Sequence, residues 1–382
     1  MRACVKVRVM NLMAQRILVP ILFWLARAVA AADVAPADAW PVARGTASAC
    51  GVTGGTLSDR PQLLWTFTVE DQDFQAGAAI EGGSVYAASA NGPLYAVDLA
   101  SGKKRWEFAG KSSYRAAPAV RDGRVFLGDQ DGEFACFDAK SGQSLWKYST
   151  DAPIDSAATF YRGRVLFGSE DGSAYCLDAA SGKLVWKFDM QDQVRCLATI
   201  AGNRGYFATC GAMLYCIDLD KGAALSKVPI DSPTGCAAAL GKERAFLGNE
   251  DGQFLAVDLV KGAIAWRFQD ADHPMPYRSS AAVTADGVYV GARDKKLYAF
   301  DPQSGRQLWV FTTRGMIDSS PVVVGERLFF GSQDGRIYGL DLRSGKEVWR
   351  YEAGGKFIAS PAVAAGRLVI GSDAGHLYCF GK

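Results

Sequence analysis

Few side chains in these 382 residues have the type and spacing for chemistry. Histidine occurs only as His273 and His376, far apart in the chain, so a histidine-based metal site or a Ser-His-Asp triad has almost no material. Asp129-x-Asp131-Gly132 resembles a calcium loop. However, Ser169-x-Asp171-Gly172 and Ser332-x-Asp334-Gly335 repeat its frame without the first carboxylate, so it reads as a turn and no metal is expected. The cysteines Cys136, Cys176, Cys216 and Cys379 share one repeat slot that elsewhere holds Ala96, Ala256, Ala299 or Gly339. They read as small buried space-fillers and mostly free thiols. The remaining candidates recur in register: Gln75, Arg115, Asp155, Arg195, Gly235, Arg278, Asp318 and Ile358. If these face a common axis, three arginines can hold an anion there. The simpler expectation is mutual neutralisation, of Arg115, Asp155 and Arg195 with one another and of Arg278 with Asp318.

The elements that would position this ring are legible. Asp98, Asp138, Asp178, Asp218, Asp258, Asp301 and Asp341 are 40 residues apart, apart from one step of 43. That period, with no helical pattern inside it, predicts one four-stranded sheet per repeat in an all-β propeller of eight antiparallel blades. Each unit opens on a small apolar strand A such as Ala116–Val120, followed by strand B, a turn and strand C. The turns Asn91-Gly92, Asp131-Gly132, Asp171-Gly172, Asp251-Gly252 and Asp334-Gly335 are expected to be two-residue type I′ turns, with Ala212 and Lys295 as exceptions. Strand D carries Trp106, Trp146, Trp186, Trp266, Trp309 or Trp349, each able to dock in the wedge between blades. The last unit supplies only strands A to C. Leu63–Val69, with Trp65 in the docking position, is therefore expected to complete it and close the ring.

Basic residues, the apolar run Ile17–Ala26 and the small-residue stretch Ala28–Ala32 make residues 1–32 a secretory signal. The chain is thus expected in the periplasm or outside the cell, with no transmembrane segment once the signal is cleaved. Residues 33–61 form an N-terminal arm expected to lie outside the blades, and 62–382 the propeller. A net charge of +2, from 42 basic and 40 acidic residues, gives no field for nucleic acid.

The pattern Asp341-Leu-Arg-Ser-Gly-Lys-Glu-Val-Trp349 and its tandem copies resemble the tryptophan-docking motif of pyrroloquinoline-quinone (PQQ)-repeat propellers. The leader Trp40–Gly45 is similar to the opening segment of that family. The resemblance implies two kinds of function. One is a monomeric protein-binding scaffold like the propeller subunit of the outer-membrane β-barrel assembly machinery. The other is a PQQ-dependent dehydrogenase or a ligand sensor. The sequence lacks the vicinal cysteine pair, long covering loops and haem motif of the dehydrogenases, so a scaffold without cofactor is expected. The one three-residue insertion, Gln269–Arg278, points to where a protein partner docks. His273, Met275, Tyr277 and Arg278, with Arg195 and Arg115, are the expected contact residues. Blade 4, with Ser226 in the tryptophan slot, is expected to make the weakest seam.

Overall fold

The computed structural model describes residues 34–382; the signal expected over 1–32 lies outside them. Every element among the described residues is a β-strand. Eight sheets, each ordered A-B-C-D by antiparallel pairing, form the blades of a closed propeller. Blade 1 is typical, with Ala79–Glu81, Ser84–Ala88, Pro93–Asp98 and Lys104–Ala109. Strands B and C are buried along most of their length because a neighbouring blade covers each face, whereas strand D alternates and borders solvent. In blade 8, strand C (His376–Gly381) pairs with Gln62–Thr68, with Gln62 opposite Gly381 and Trp65 opposite Cys379. The ring therefore closes through the strand that the count of strands required.

Seven of the eight seams are joined by a docked tryptophan, and blade 4 has Ser226 in its place. The indole N–H of Trp106 donates to the Ala139 carbonyl at 3.0 Å, and Trp186 to Leu219 at 3.0 Å. Trp349 reaches Pro61 at 3.1 Å and Trp65 reaches Leu99 at 3.0 Å, which carries the joint across the closure. Below the ring lies the left-handed glycine of the next blade's C–D turn: a Cβ on Gly142 would stand 2.6 Å from Trp106. The anchor aspartate holds that turn. Asp341 accepts from the N–H and hydroxyl of Ser344 at 2.8 and 2.5 Å, bonds that keep its carboxyl below the usual range.

The B–C connections differ from the expected type I′ turns. Gly132 is left-handed (φ 81°) but Asp131 is not, and Gly132 N–H donates to Asp129 O at 3.3 Å. This is a type I turn followed by a left-handed residue. The cause is the residue that opens it: Asp129 Oδ1 accepts from Asp131 N–H at 3.0 Å and Glu133 N–H at 2.8 Å, which holds the central pair right-handed. Type I′ geometry occurs one hairpin earlier, at Asp122-Gly123 (φ 52° and 70°). Ala212 (φ 56°) and Lys295 (φ 70°) keep the left-handed position without glycine, a strain of about 1–2 kcal/mol each.

The arm does not lie outside the ring. It winds around the inner edge of the ring from blade to blade: Trp40 and Ile80 exchange both main-chain bonds (2.8 and 2.9 Å), and Val120, Ile200, Leu240, Val283 and Val323 donate to arm carbonyls. Val52–Thr53 adds a parallel strand beside Val322–Val324 of blade 7. Strand A is the innermost strand, so its free edge has no other protein partner, and the arm supplies the missing acceptors. Trp40, Val42, Ala49 and Cys50 are accordingly buried.

Candidate functional site: the mouth of the central funnel

The D–A connections and the B–C turns emerge on one face, tied by main-chain bonds such as Gln130 N–H to Ser113 O and Glu250 N–H to Pro233 O. The axis opens there into a cavity of about 660 Å³. Its wall contains the whole ring of Gln75, Arg115, Asp155, Arg195, Gly235, Arg278, Asp318 and Ile358, and its floor is the arm at Trp40, Ala43 and Arg44.

The ring residues do not neutralise one another around the rim as expected. Asp155, Arg195, Arg278 and Asp318 each pair instead with the B–C turn of the preceding blade. Arg195 meets Glu170 at 2.9 Å, Arg278 meets Glu250 at 3.3 Å, and Arg293 grips Asp318 through Nε and Nη2 at 2.9 and 2.7 Å. Asp155 accepts from Gln130 in the same way. The pairs are 25 residues apart, or 28 across the insertion, so opposite signs at that offset were the signal sequence reasoning missed. Burial pulls the Arg195 guanidinium down, but the hydrogen bond and charge of Glu170 carry it upward overall. Arg115 faces Ala90 in this scheme; it is exposed and has no ion pair among the described residues.

Arg44 on the floor was also missed. Its guanidinium donates to the carbonyls of Ser320 (3.1 Å), Ala281 (3.0 Å) and Pro321 (2.6 Å) of blades 6 and 7. Burial draws it down to about 10. Arg44 is left-handed (φ 67°), and a Cβ on Gly51 would collide with its Nη2 at 2.0 Å. The residues that follow it, Gly45 to Gly51, are all small, as a narrow centre requires.

The insertion lies at the rim of this mouth. His273, Met275 and Arg278 are exposed there, and Asp270 holds its start by accepting from the N–H groups of Asp272 (3.0 Å) and His273 (3.2 Å). Tyr277 is a correction. It is 2% exposed, packed against Phe254 and Tyr298, and a Cβ on Gly248 would meet it at 2.1 Å. It occupies the core slot held in other blades by Tyr114, Ile154 and Ile317, so it cannot touch a partner.

The mouth offers no ready-made set of ligands for the calcium that a dehydrogenase would need. Among the described residues no group of three or more His, Cys, Asp or Glu side chains is placed to hold a metal, and Asp318 and Glu250 are engaged by arginines. Burial raises the Cys196 and Cys210 thiols on the wall, which disfavours the nucleophilic thiolate.

The family model described as "Outer membrane protein assembly factor BamB" matches residues 56–175, 170–316 and 293–381. No curated protein is a significant match to the sequence. Among solved structures, BamB from Moraxella catarrhalis is 18% identical with a TM-score of 0.70, over 84% of this chain and 98% of that one. The quinohemoprotein alcohol dehydrogenase from Comamonas testosteroni is 15% identical with a TM-score of 0.76, over 90% and 81%. A europium-containing methanol dehydrogenase is 14% identical with a TM-score of 0.76, over 90% and 98%. At such identities the likeness is one of fold, shared by a factor for outer membrane protein assembly and by enzymes.

Proposed function

The chain belongs to the family described as outer membrane protein assembly factor BamB, and from that premise we propose that it is an exported, non-catalytic propeller. It holds a protein partner on the funnel face, in the periplasm or outside the cell, and serves envelope or outer-membrane protein assembly. The observation that carries this reading is the state of the mouth's charged groups. Asp318, Glu250 and Glu170 are bound by arginines of adjoining blades, so they brace the rim and are not free to move protons or hold a metal. The rim also presents interface chemistry: Met275 is 41% exposed, and Arg115 is a cation with no ion pair among the described residues.

A photo-crosslinking residue placed at Met275 or Arg115 in the native host should trap one defined envelope protein. The same residue at Val348, on the outer wall, should not. Purified protein given PQQ, calcium, an alcohol and a dye acceptor should leave the dye oxidised; turnover would overturn the proposal. Arg115 supports one second reading, that the mouth senses a small anion. Saturable binding of a dicarboxylate, abolished in Arg115→Ala, would favour it.

A further inference from the structure

We infer that the outer wall between blades 4 and 5 carries a vacant indole slot, which takes a tryptophan side chain from an extended segment of a partner protein. The filled seams define the slot. Six of the seven have a carbonyl one residue past the anchor aspartate, a left-handed glycine beneath the ring and a strand B residue against it; the closing seam of Trp349 uses the Pro61 carbonyl instead. Trp266 shows all three: it donates to Pro302 O at 3.2 Å, would meet a Cβ on Gly305 at 2.6 Å, and packs on Phe246 with centroids 5.8 Å apart.

The blade 4 seam keeps these walls and lacks the ring. Ser226 pairs with Cys216 in the register in which Trp266 pairs with Ala256 and Trp186 with Cys176. Tyr206, opposite Cys216 on strand B, stands where Phe246 stands in blade 5. Gly262 holds the left-handed turn (φ 64°), yet a Cβ there would find no atom within 4 Å, whereas on Gly222 it would meet Trp186 at 2.4 Å. The Leu259 carbonyl, equivalent to Pro302, receives no indole N–H.

A second observation points outward from the same place. Val260 is 76% exposed, above every other exposed large hydrophobic among the described residues, and it adjoins the slot through Lys261 and Gly262. The corresponding turn position holds Ala100, Lys140, Ala180, Asp220, Gln303 or Arg343 in the other blades. An exposed valine beside the open space where the other seams hold an indole is a contact awaiting its other half. The occupant's chemistry follows from the seven filled copies: a flat apolar ring with one N–H donor. A second copy of this chain is a poor source, because its tryptophans from Trp40 onward are buried or docked. This site lies on the outer wall, apart from the funnel face, so either can fail without the other.

The probe is a fluorescein-labelled capped peptide with the sequence Lys183–Phe188, Lys-Leu-Val-Trp-Lys-Phe, with its Trp→Ala form as control. Anisotropy should show saturable binding that weakens about tenfold or more in the control, the loss expected from one buried aromatic ring. On binding, amide exchange should slow in Ala223–Pro229 and Leu259–Gly262. Ser226→Trp should fill the slot in cis, raising Tm and abolishing peptide binding. Val260→Asp, exposed and without consequence for folding, should weaken binding and leave Tm unchanged. Equal binding by the control peptide, undiminished binding by both variants, or equal affinity for free N-acetyltryptophanamide would overturn the inference. The last result would mean a small indole ligand.

Discussion

Substituting alanine at two equivalent glycines separates a filled seam from an empty one. Gly222 and Gly262 have nearly the same backbone, φ 66° and 64°, so each Gly→Ala incurs the same left-handed strain, about 1–2 kcal/mol. Only the surroundings differ. At Gly222 the new methyl would lie 2.4 Å from Trp186 Cγ and 2.7 Å from its Cβ, so the docked side chain has to leave. Losing that packing adds up to about 3–5 kcal/mol, the cost of truncating a core tryptophan. At Gly262 the methyl enters open space. At roughly 2 °C per kcal/mol, Gly262→Ala should lower Tm by about 2–4 °C and Gly222→Ala by about 8–14 °C. Calorimetry gives the comparison directly, and tryptophan fluorescence should red-shift only in Gly222→Ala. Equal losses would refute the geometry of the empty seam.

The arm's place along the inner edge of the ring predicts that deleting 34–58 is as damaging as deleting Gln62–Thr68, with both products aggregating; an arm-less propeller that stays soluble with an unchanged Tm would contradict it. Tyr277→Ala should destabilise by about 3–5 kcal/mol by emptying a core position, whereas Met275→Ala should stay within about 0.5 kcal/mol; chemical denaturation of the two single variants tests this. The turn aspartates Asp98, Asp178, Asp301 and Asp341 are held below their ordinary values by serine hydroxyl, arginine and main-chain donors. Because their folded values are lowered, the stability they contribute is present above the unfolded value of about 3.9 and lost as pH falls through the folded values. Tm should therefore drop steeply below about pH 4, and less steeply in a Ser101→Ala, Ser181→Ala, Ser304→Ala, Ser344→Ala variant. A slope unchanged by those substitutions would remove the turns as its cause.

Whatever repeats was legible. The period of Asp and Trp fixed blade number, strand order and the closing role of Trp65, because each repeat must solve the same packing problem. The ring from Gln75 to Ile358 was found by register, and it does line the funnel. The arm was misread because Ala43–Gly51 has no period and too little apolar bulk to look buried; its burial follows from the free edges of the inner strands, which sequence does not display. Tyr277 was misread because the three inserted residues drew attention to the whole segment. Aligned from Arg278 backwards, it falls into the core slot of Tyr114 and Phe357. The turn type was misassigned because Asp-Gly suits two hairpin geometries, and the residue at 129 chooses between them.

Closure through Gln62–Thr68 also sets an order of events in time. Its partner, His376–Gly381, is made about 310 residues later, so at roughly 5–20 residues per second the strand waits some 15–60 s on the ribosome. During that interval Leu-Leu-Trp-Thr-Phe is an apolar, β-prone segment with both edges open, the kind that joins the wrong chain. Arg60 and Pro61 stand before it and Glu70 and Asp71 after it, charge and an absent N–H donor at its two ends. Pro61 later gives its carbonyl to Trp349 in the finished joint. One residue thus guards the nascent strand and then locks the completed ring.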